Sequence, residues 1–319
     1  MKLPFGPRRR SDASFDVVAF GENSLDTLVP SGHEPGRAKQ RVPGIVDLPG
    51  GQAATAAVAC ARLLWRTRYA GVFGEDFAGS VVRAALVRDH VEVFAVTRST
   101  APTRRAVVFV DEATDERSVL EYRDGQLTLA PGEIPDVVFS DTRILIVDAV
   151  DIHASIAAAK AARAAGVRTI VDVDHAGPGV SDLLRHIDVV IVPEAAVASL
   201  AGAVSLGAGL SEIGRESGAA VVVATLGLEG ALAWCAGQEV AAPGRVVDVV
   251  DTTGAGDAFR AGFAAGWLGR VSASASLSPE LEDLLADANL VASLNCRRLG
   301  AQAGLPTAPE VPAHLRGGV

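Results

Sequence analysis

Lysine is almost missing from this chain, with three in 319 residues, and aromatic side chains make up only 5%. No G-x-x-x-x-G-K-[S/T] string occurs, which excludes a P-loop. Basic residues interleaved with aromatics are also absent, and the net charge is −9, so nucleic acid is not expected as a partner. Cysteine is limited to Cys60, Cys235 and Cys296, widely spaced and without histidine at ligand spacing. That pattern suggests neither a disulfide framework nor a zinc site, but free, buried thiols. No run approaches the 18 apolar residues of a membrane span, and the start MKLPFGPRRRSDASFD has an arginine triplet with no apolar stretch behind it. The expectation is a cytoplasmic chain with no membrane partner.

What is abundant is small and apolar. Hydrophobic residues make up 49% of the chain and glycine numbers 33, a composition suited to parallel strands covered by closely packed helices. Apolar runs at 16–20, 68–73, 91–96, 144–147, 169–173, 189–192 and 221–224 alternate with helical patterns such as 155–165. This predicts an α/β fold: a doubly wound, mostly parallel sheet with helices on both faces. Two excursions interrupt it, near 27–48 and 98–129. In the second, Arg105–Asp111 and Arg117–Tyr122 form a predicted hairpin. Together they predict a small β-sheet lid. The domain is expected over 15–310, between a flexible leader (1–14) and a flexible tail (311–319).

The densest chemistry lies in Asp251-Thr-Thr-Gly-Ala-Gly-Asp-Ala-Phe259, between a valine-rich run taken as a strand and an Ala/Gly-rich helix. A helix N-terminus presents unsatisfied N–H groups and a positive dipole end, which suits an anion. Two readings of Asp257 stand: a first-turn acid worth ~1 kcal/mol to the helix, or a general base beside an anion hole. A dinucleotide fingerprint does not fit, because Phe259 stands where the third glycine belongs.

Residues 251–259 resemble the C-terminal signature of the PfkB, or ribokinase-like, family of carbohydrate kinases. Other motifs follow in that family's order: Gly21-Glu-Asn-Ser-Leu-Asp26, the di-glycine Gly50-Gly51, Gly71-Val-Phe-Gly-Glu-Asp-Phe-Ala-Gly79, Thr225-Leu-Gly227 and Asn289. The resemblance implies a ribokinase-like fold with a lid, ATP with Mg²⁺, and γ-phosphoryl transfer to a primary hydroxyl of a sugar. Asp257 would be the base, with Gly254, Ala255 and Gly256 forming the anion hole. Asp26, Gly50, Gly51, Gln52, Thr55 and Arg123 would hold the acceptor, and Thr225, Gly227, Asn289 and Gly256 the nucleotide. Asp251 and Thr253 match positions for a monovalent cation such as K⁺, and lid strands imply a homodimer.

The chain also departs from the family pattern. Glu194 and Val197 stand where many relatives carry N-x-x-E, Thr55 replaces an asparagine, and Gln52 replaces a frequent lysine. These features resemble the ketohexokinase and sulfofructose-kinase-like branch, so the expected acceptor is a ketose or a sulfo- or acidic sugar. Arg123, and less so Arg117, are candidates to reach a substrate hydroxyl, sulfonate or carboxylate; His153, Asp174 and His175 are candidates to line the cleft. The alternatives are a nucleoside kinase of adenosine type, for which the lid offers only Tyr122 and Phe109 as aromatics, and a non-catalytic sugar-binding protein.

Overall fold

Alternation along the central strands builds the two-faced sheet. In β1 (Phe15–Phe20), Val17 and Ala19 enter one core while Val18 and Phe20 enter the other; in β8 (Thr142–Asp148), Ile144 and Ile146 oppose Leu145 and Val147 in the same way. Strands buried on both faces carry continuous apolar runs, which is why the sequence shows them as blocks. The computed structural model describes residues 1–7, 12–31, 39, 41–111, 117–202, 205–273 and 279–318.

The remaining strands are β2 (Ser24–Ser31), β3 (Val46–Gly50), β4 (Thr67–Gly74), β5 (Glu92–Arg98), β6 (Arg105–Asp111), β7 (Arg117–Tyr122), β9 (Arg168–Asp172), β10 (Val189–Pro193), β11 (Val221–Thr225), β12 (Ala231–Cys235) and β13 (Gln238–Ala242). Nine of the thirteen form one sheet in the order β13-β12-β11-β10-β9-β8-β1-β4-β5. It is parallel from β5 to β11 and antiparallel at the β12 and β13 edge. That edge was not anticipated from the sequence.

One face is covered by α1 (Gln52–Arg62), α2 (Phe77–Arg88), α8 (Ala255–Ala273) and α9 (Leu281–Asn295). The other carries α3 (Asp136–Ser140), α4 (Ile152–Ala164), α5 (Val180–Leu184), α6 (Glu194–Ala201) and α7 (Leu206–Ser217). The small residues are used for close approach. A Cβ at Gly262 of α8 would stand 2.8 Å from Val291 Cβ, and one at Gly266 2.7 Å from Asp287 Oδ2, so α9 packs almost backbone to backbone. The three cysteines are buried and free.

The second sheet runs β3-β2-β6-β7 around a small core of Leu28, Ala106, Val108 and Val110. It occupies the two excursions, and β6 pairs with β7 from Arg105↔Tyr122 to Val110↔Arg117 as the hairpin pattern predicts. The tip, 112–116, and the 32–38 part of the first excursion lie outside the described residues. The Gly71–Gly79 motif pins this sheet to the large one. Asp76 N-caps α2 through Gly79 N (2.7 Å) and also accepts from Thr103 N (3.0 Å) and Thr103 Oγ1 (2.8 Å), just before β6.

Three expectations need correction. The valine-rich run 245–249 is not a strand but an irregular segment, with Val246 98% exposed. The first seven residues are docked rather than a flexible leader: Leu3 is buried, Leu3 N donates to Pro279 O (3.0 Å), and the Phe5 ring lies 5.8 Å from that of Trp267. Beyond 310 the tail is also anchored, with Trp65 Nε1 donating to Leu315 O (3.0 Å) and Gly317 N to Leu63 O (2.8 Å). One leucine at each end, Leu3 and Leu315, is buried in the core. Leu3→Ala should therefore lower stability by about 2–5 kcal/mol, the range for a fully buried leucine, visible as a reduced urea midpoint with an unchanged slope.

Candidate active site

Parallel strands of one sheet present their carboxyl ends on one edge, and a crevice opens where neighbouring connections leave to opposite faces. Here β1 lies between β8 and β4, and the ends of β1 and β8 place Glu22 beside Asp148. Glu22 N donates to Asp148 Oδ2 (2.6 Å), and Val150 N donates to Asp148 Oδ1 (3.0 Å). Burial pushes the Asp148 carboxyl up to about 6 despite these donors, and the Glu22 carboxyl up to about 8 against the pull of the Arg104 guanidinium. Neither Glu22 nor Asp148 was singled out from the sequence. Both are ordinary acids there, distinguished only by the strand ends that bury them.

The residues expected to hold the acceptor gather around the root of the small sheet. Asp26 on β2 is buried, and burial raises its carboxyl above the usual range. Arg104 contacts Glu22 (3.1 Å), Asp26 (3.6 Å) and Glu121 (2.5 Å). Gly50 and Gly51 make room for this arrangement. A Cβ at Gly50 would lie 2.1 Å from Asp26 Oδ2; at Gly51, with φ +91°, it would lie 2.4 Å from Asn23 Cα. The di-glycine thus lets the start of α1 close on the loop after β1. Gln52 Nε2 donates to Asp174 Oδ2 (2.5 Å), which joins the two at the cleft edge.

Several expected roles change. Thr55 has no exposed surface, and its hydroxyl accepts from Gln302 Nε2 (3.4 Å), so a ligand in the cleft does not reach it in this conformation. Arg123 donates to Asp151 Oδ2 (2.9 Å) and is thereby already paired. His153 and His175 are exposed on the surface; the side chain of Arg117 lies outside the described residues.

On the other side of α8, a cavity of about 220 Å³ is lined by Thr225, Gly227, Asn289, Ala255 and Gly256, as the motifs predict. The sequence reading did not foresee the apolar wall of Leu228, Val247, Val249, Phe259, Ala292 and Cys296, nor Arg245 at the rim. Asn289 lines this space, but its amide donates to Ala242 O (3.1 Å) and Pro243 O (3.0 Å), holding the end of β13 in place. The cavity closes on the first turn of α8. Gly254 precedes that turn at φ +76°, and a Cβ there would lie 2.6 Å from Ala301 O. Asp257 follows Gly256 on the helix, between the lining residues Gly256 and Phe259, in contact with Arg260 (3.4 Å).

The implied ions fit poorly. Asp251 Oδ1 accepts from Thr253 N (2.9 Å) and Thr253 Oγ1 (2.7 Å), and Oδ2 accepts from Gly300 N (2.7 Å). Thr253 O accepts from Asn295 Nδ2 (3.0 Å). The protein's own donors therefore already hold this loop without a cation. For Mg²⁺, Val197 is buried in the core and Glu194 is exposed at the first turn of α6. Among the described residues no three His, Cys, Asp or Glu side chains are grouped to hold a metal, so the residues present do not fit a protein-held divalent ion.

The model of the pfkB family carbohydrate kinases matches residues 14–308. The chain is 26% identical to a probable fructokinase-4 of Arabidopsis thaliana, over 94% of this chain and 97% of that one. It is equally 26% identical to a ribokinase of Staphylococcus aureus, over 92% and 98%. In structure it is similar to Arabidopsis thaliana ribokinase complexed with ribose and ATP, with a TM-score of 0.78 at 24% identity, over 95% and 99% of the two chains. A helix start between an apolar cavity and an acid-lined cleft thus coincides with a match over nearly the whole chain, and the chain belongs to the pfkB family of carbohydrate kinases, phosphotransferases with an alcohol group as acceptor.

Proposed function

We propose that this kinase transfers the γ-phosphoryl group of ATP to a primary hydroxyl of a neutral, ketose-type sugar. The observation that carries this reading is the meeting of the two spaces. The cavity lined by Thr225 and Gly227 ends on Ala255 and Gly256, and Asp257 stands one residue further along the helix. The purine would lie against Leu228, Val247, Phe259 and Ala292, and the phosphates would run to the start of α8. In relatives named for fructose and ribose the acceptor is a neutral sugar.

The arginines support a neutral acceptor over the sulfo- or acidic sugar raised by the sequence. Arg104 is shared among three carboxyl groups and Arg123 is held by Asp151, so neither guanidinium is left over for a sulfonate or carboxylate. Asp26 and Glu22 instead offer acceptors and a proton to hydroxyls. In the transfer, Asp257 takes the proton of the attacking hydroxyl, its oxygen bonds to the γ-phosphorus, and the bond to the leaving oxygen of ADP breaks. First-turn N–H groups of α8 stabilise the charge on the moving phosphoryl group. Closure of the lid would exclude water, the competing acceptor. Magnesium would arrive on the nucleotide's own phosphates.

Asp257→Asn should lower turnover by roughly 10²–10⁴-fold while leaving ATP affinity in calorimetry nearly unchanged; substantial residual turnover would remove Asp257 from the base role. ADP release measured against neutral ketoses, aldopentoses, sulfosugars, aldonates and nucleosides should be highest with a neutral ketose. Tight sugar binding with no ADP from any of them would favour the sugar-binding protein. Below about 8 the Glu22 carboxyl keeps its proton and can donate to a sugar oxygen; above it, this donor is lost. KM for the sugar should therefore rise as pH passes through about 8, while KM for ATP stays level, and Glu22→Gln should flatten the rise. We further infer a homodimer through the lid, from exposed Val119, Leu120 and Tyr122 on edge strand β7. Sedimentation should then give twice the 32.7 kDa chain mass, and Leu120→Glu should give the single-chain value.

A further inference from the structure

Arg260 is the buried charge that neither the motifs nor the transfer scheme uses. It lies three residues beyond Asp257 on α8, and its side chain is almost wholly inside the protein. Helical side chains lean toward the N-terminus, and this one runs back along the first turn. Nη1 reaches Oδ1 of Asp257 (3.4 Å), and Nη2 forms an ion pair with Asp172 at the end of β9. Gly256 provides the space: a Cβ there would stand 3.0 Å from Nη1. The guanidinium therefore lies directly against the proposed anion hole.

We propose that Asp172 and Arg260 form a positioning pair for the base, in which Asp172 fixes the guanidinium and Arg260 holds Asp257 ionised and turned toward the acceptor hydroxyl. This rests on the kinase reading of Asp257. A buried carboxylate without a neighbouring cation takes up a proton more readily, and a protonated Asp257 cannot accept one from a sugar. Burial brings the Arg260 guanidinium down to about 9, and the Asp148 charge counters that, so it keeps its charge at neutral pH. The charged groups facing the pair are Asp172 on β9, Asp148 on β8 and Asp257 on α8 itself. Arg260 Nε has no hydrogen-bond partner among the described residues, so the guanidinium is not saturated by the fold and has a donor to spare.

The test is the acid limb of the pH profile of kcat/KM, with folding checked by thermal unfolding. Arg260→Gln should move that limb to higher pH by about one unit, roughly a tenfold loss on the acid side, because the cation favouring the ionised base is gone. Arg260→Lys keeps the charge and should leave the limb near its original place. Asp172→Asn releases the guanidinium that Asp172 fixes, so the limb should move to higher pH, by less than in Arg260→Gln. If Arg260→Gln does not fold, the other two variants decide: an upward shift in Arg260→Lys, or an unmoved or lowered limb in Asp172→Asn, overturns the proposal. An unmoved limb in folded Arg260→Gln, or equal loss at every pH, overturns it too. An inactive Asp257→Asn beside an unmoved limb defeats this inference alone, whereas an active Asp257→Asn defeats the base assignment and this inference together.

Discussion

The Asp251 carboxylate fixes where α8 begins, and the site is built outward from that point. One oxygen closes a turn onto Thr253 and the other reaches the backbone of Gly300, 49 residues further on. Asn295, at the end of α9, adds a donor to Thr253 O. These bonds join the loop before α8 to the loop after α9, so the first turn of α8 cannot drift from the strand ends opposite it. Gly254 follows from the same constraint. The loop must turn at positive φ and pass against the Ala301 backbone, and any side chain there would collide. An anion hole made of backbone N–H groups is only as well placed as the helix that carries it, so the clamp is a condition of the chemistry.

Around that fixed helix the fold buries many charges, at a desolvation cost that pairing only partly offsets. Asp148 and Asp172 end their strands, Glu22 follows the end of β1 and Asp26 lies early in β2; Arg104, Arg123 and Arg260 answer these and neighbouring acids. An apolar set of the same volume would suit stability at least as well. The charges are concentrated at the candidate site, while the two flanking cores are mostly Val, Ala, Ile and Leu. That contrast is the physical signature of a site.

Much of this was legible in the chain. Apolar blocks gave the parallel strands because burial on both faces removes the need for polar alternation, and the hairpin of β6 and β7 was visible because a half-exposed lid keeps it. Gly50, Gly51, Gly254 and Gly256 could be read because close approach leaves no substitute for glycine. Strands β12 and β13 were missed: they are short, partly exposed edge strands with a mixed pattern. The run 245–249 misled in the opposite sense, since valine content there serves an apolar wall of a cavity and not a sheet. Thr55 was placed in the cleft by its motif position, but α1 is alanine-rich and sinks so far into the core that the hydroxyl is enclosed.

The charged partners could not be read at all, because pairing is a property of side chains brought together from distant segments. Arg260 meets Asp172 across 88 residues, Arg104 meets Glu22 across 82, and nothing local marks either. This explains why the substrate inference shifted. Read along the chain, arginine near the lid suggested an anionic sugar; read in space, each arginine in the cleft is balanced by carboxylates of the same cleft. Charge composition constrains what a site binds only after internal pairs are subtracted, and here the subtraction leaves surplus carboxylate. A surplus of that sign accepts hydrogen bonds from hydroxyls and repels a second anion. In the proposed reading the phosphates of the nucleotide approach from the far side, where the start of α8 and Arg245 line the cavity.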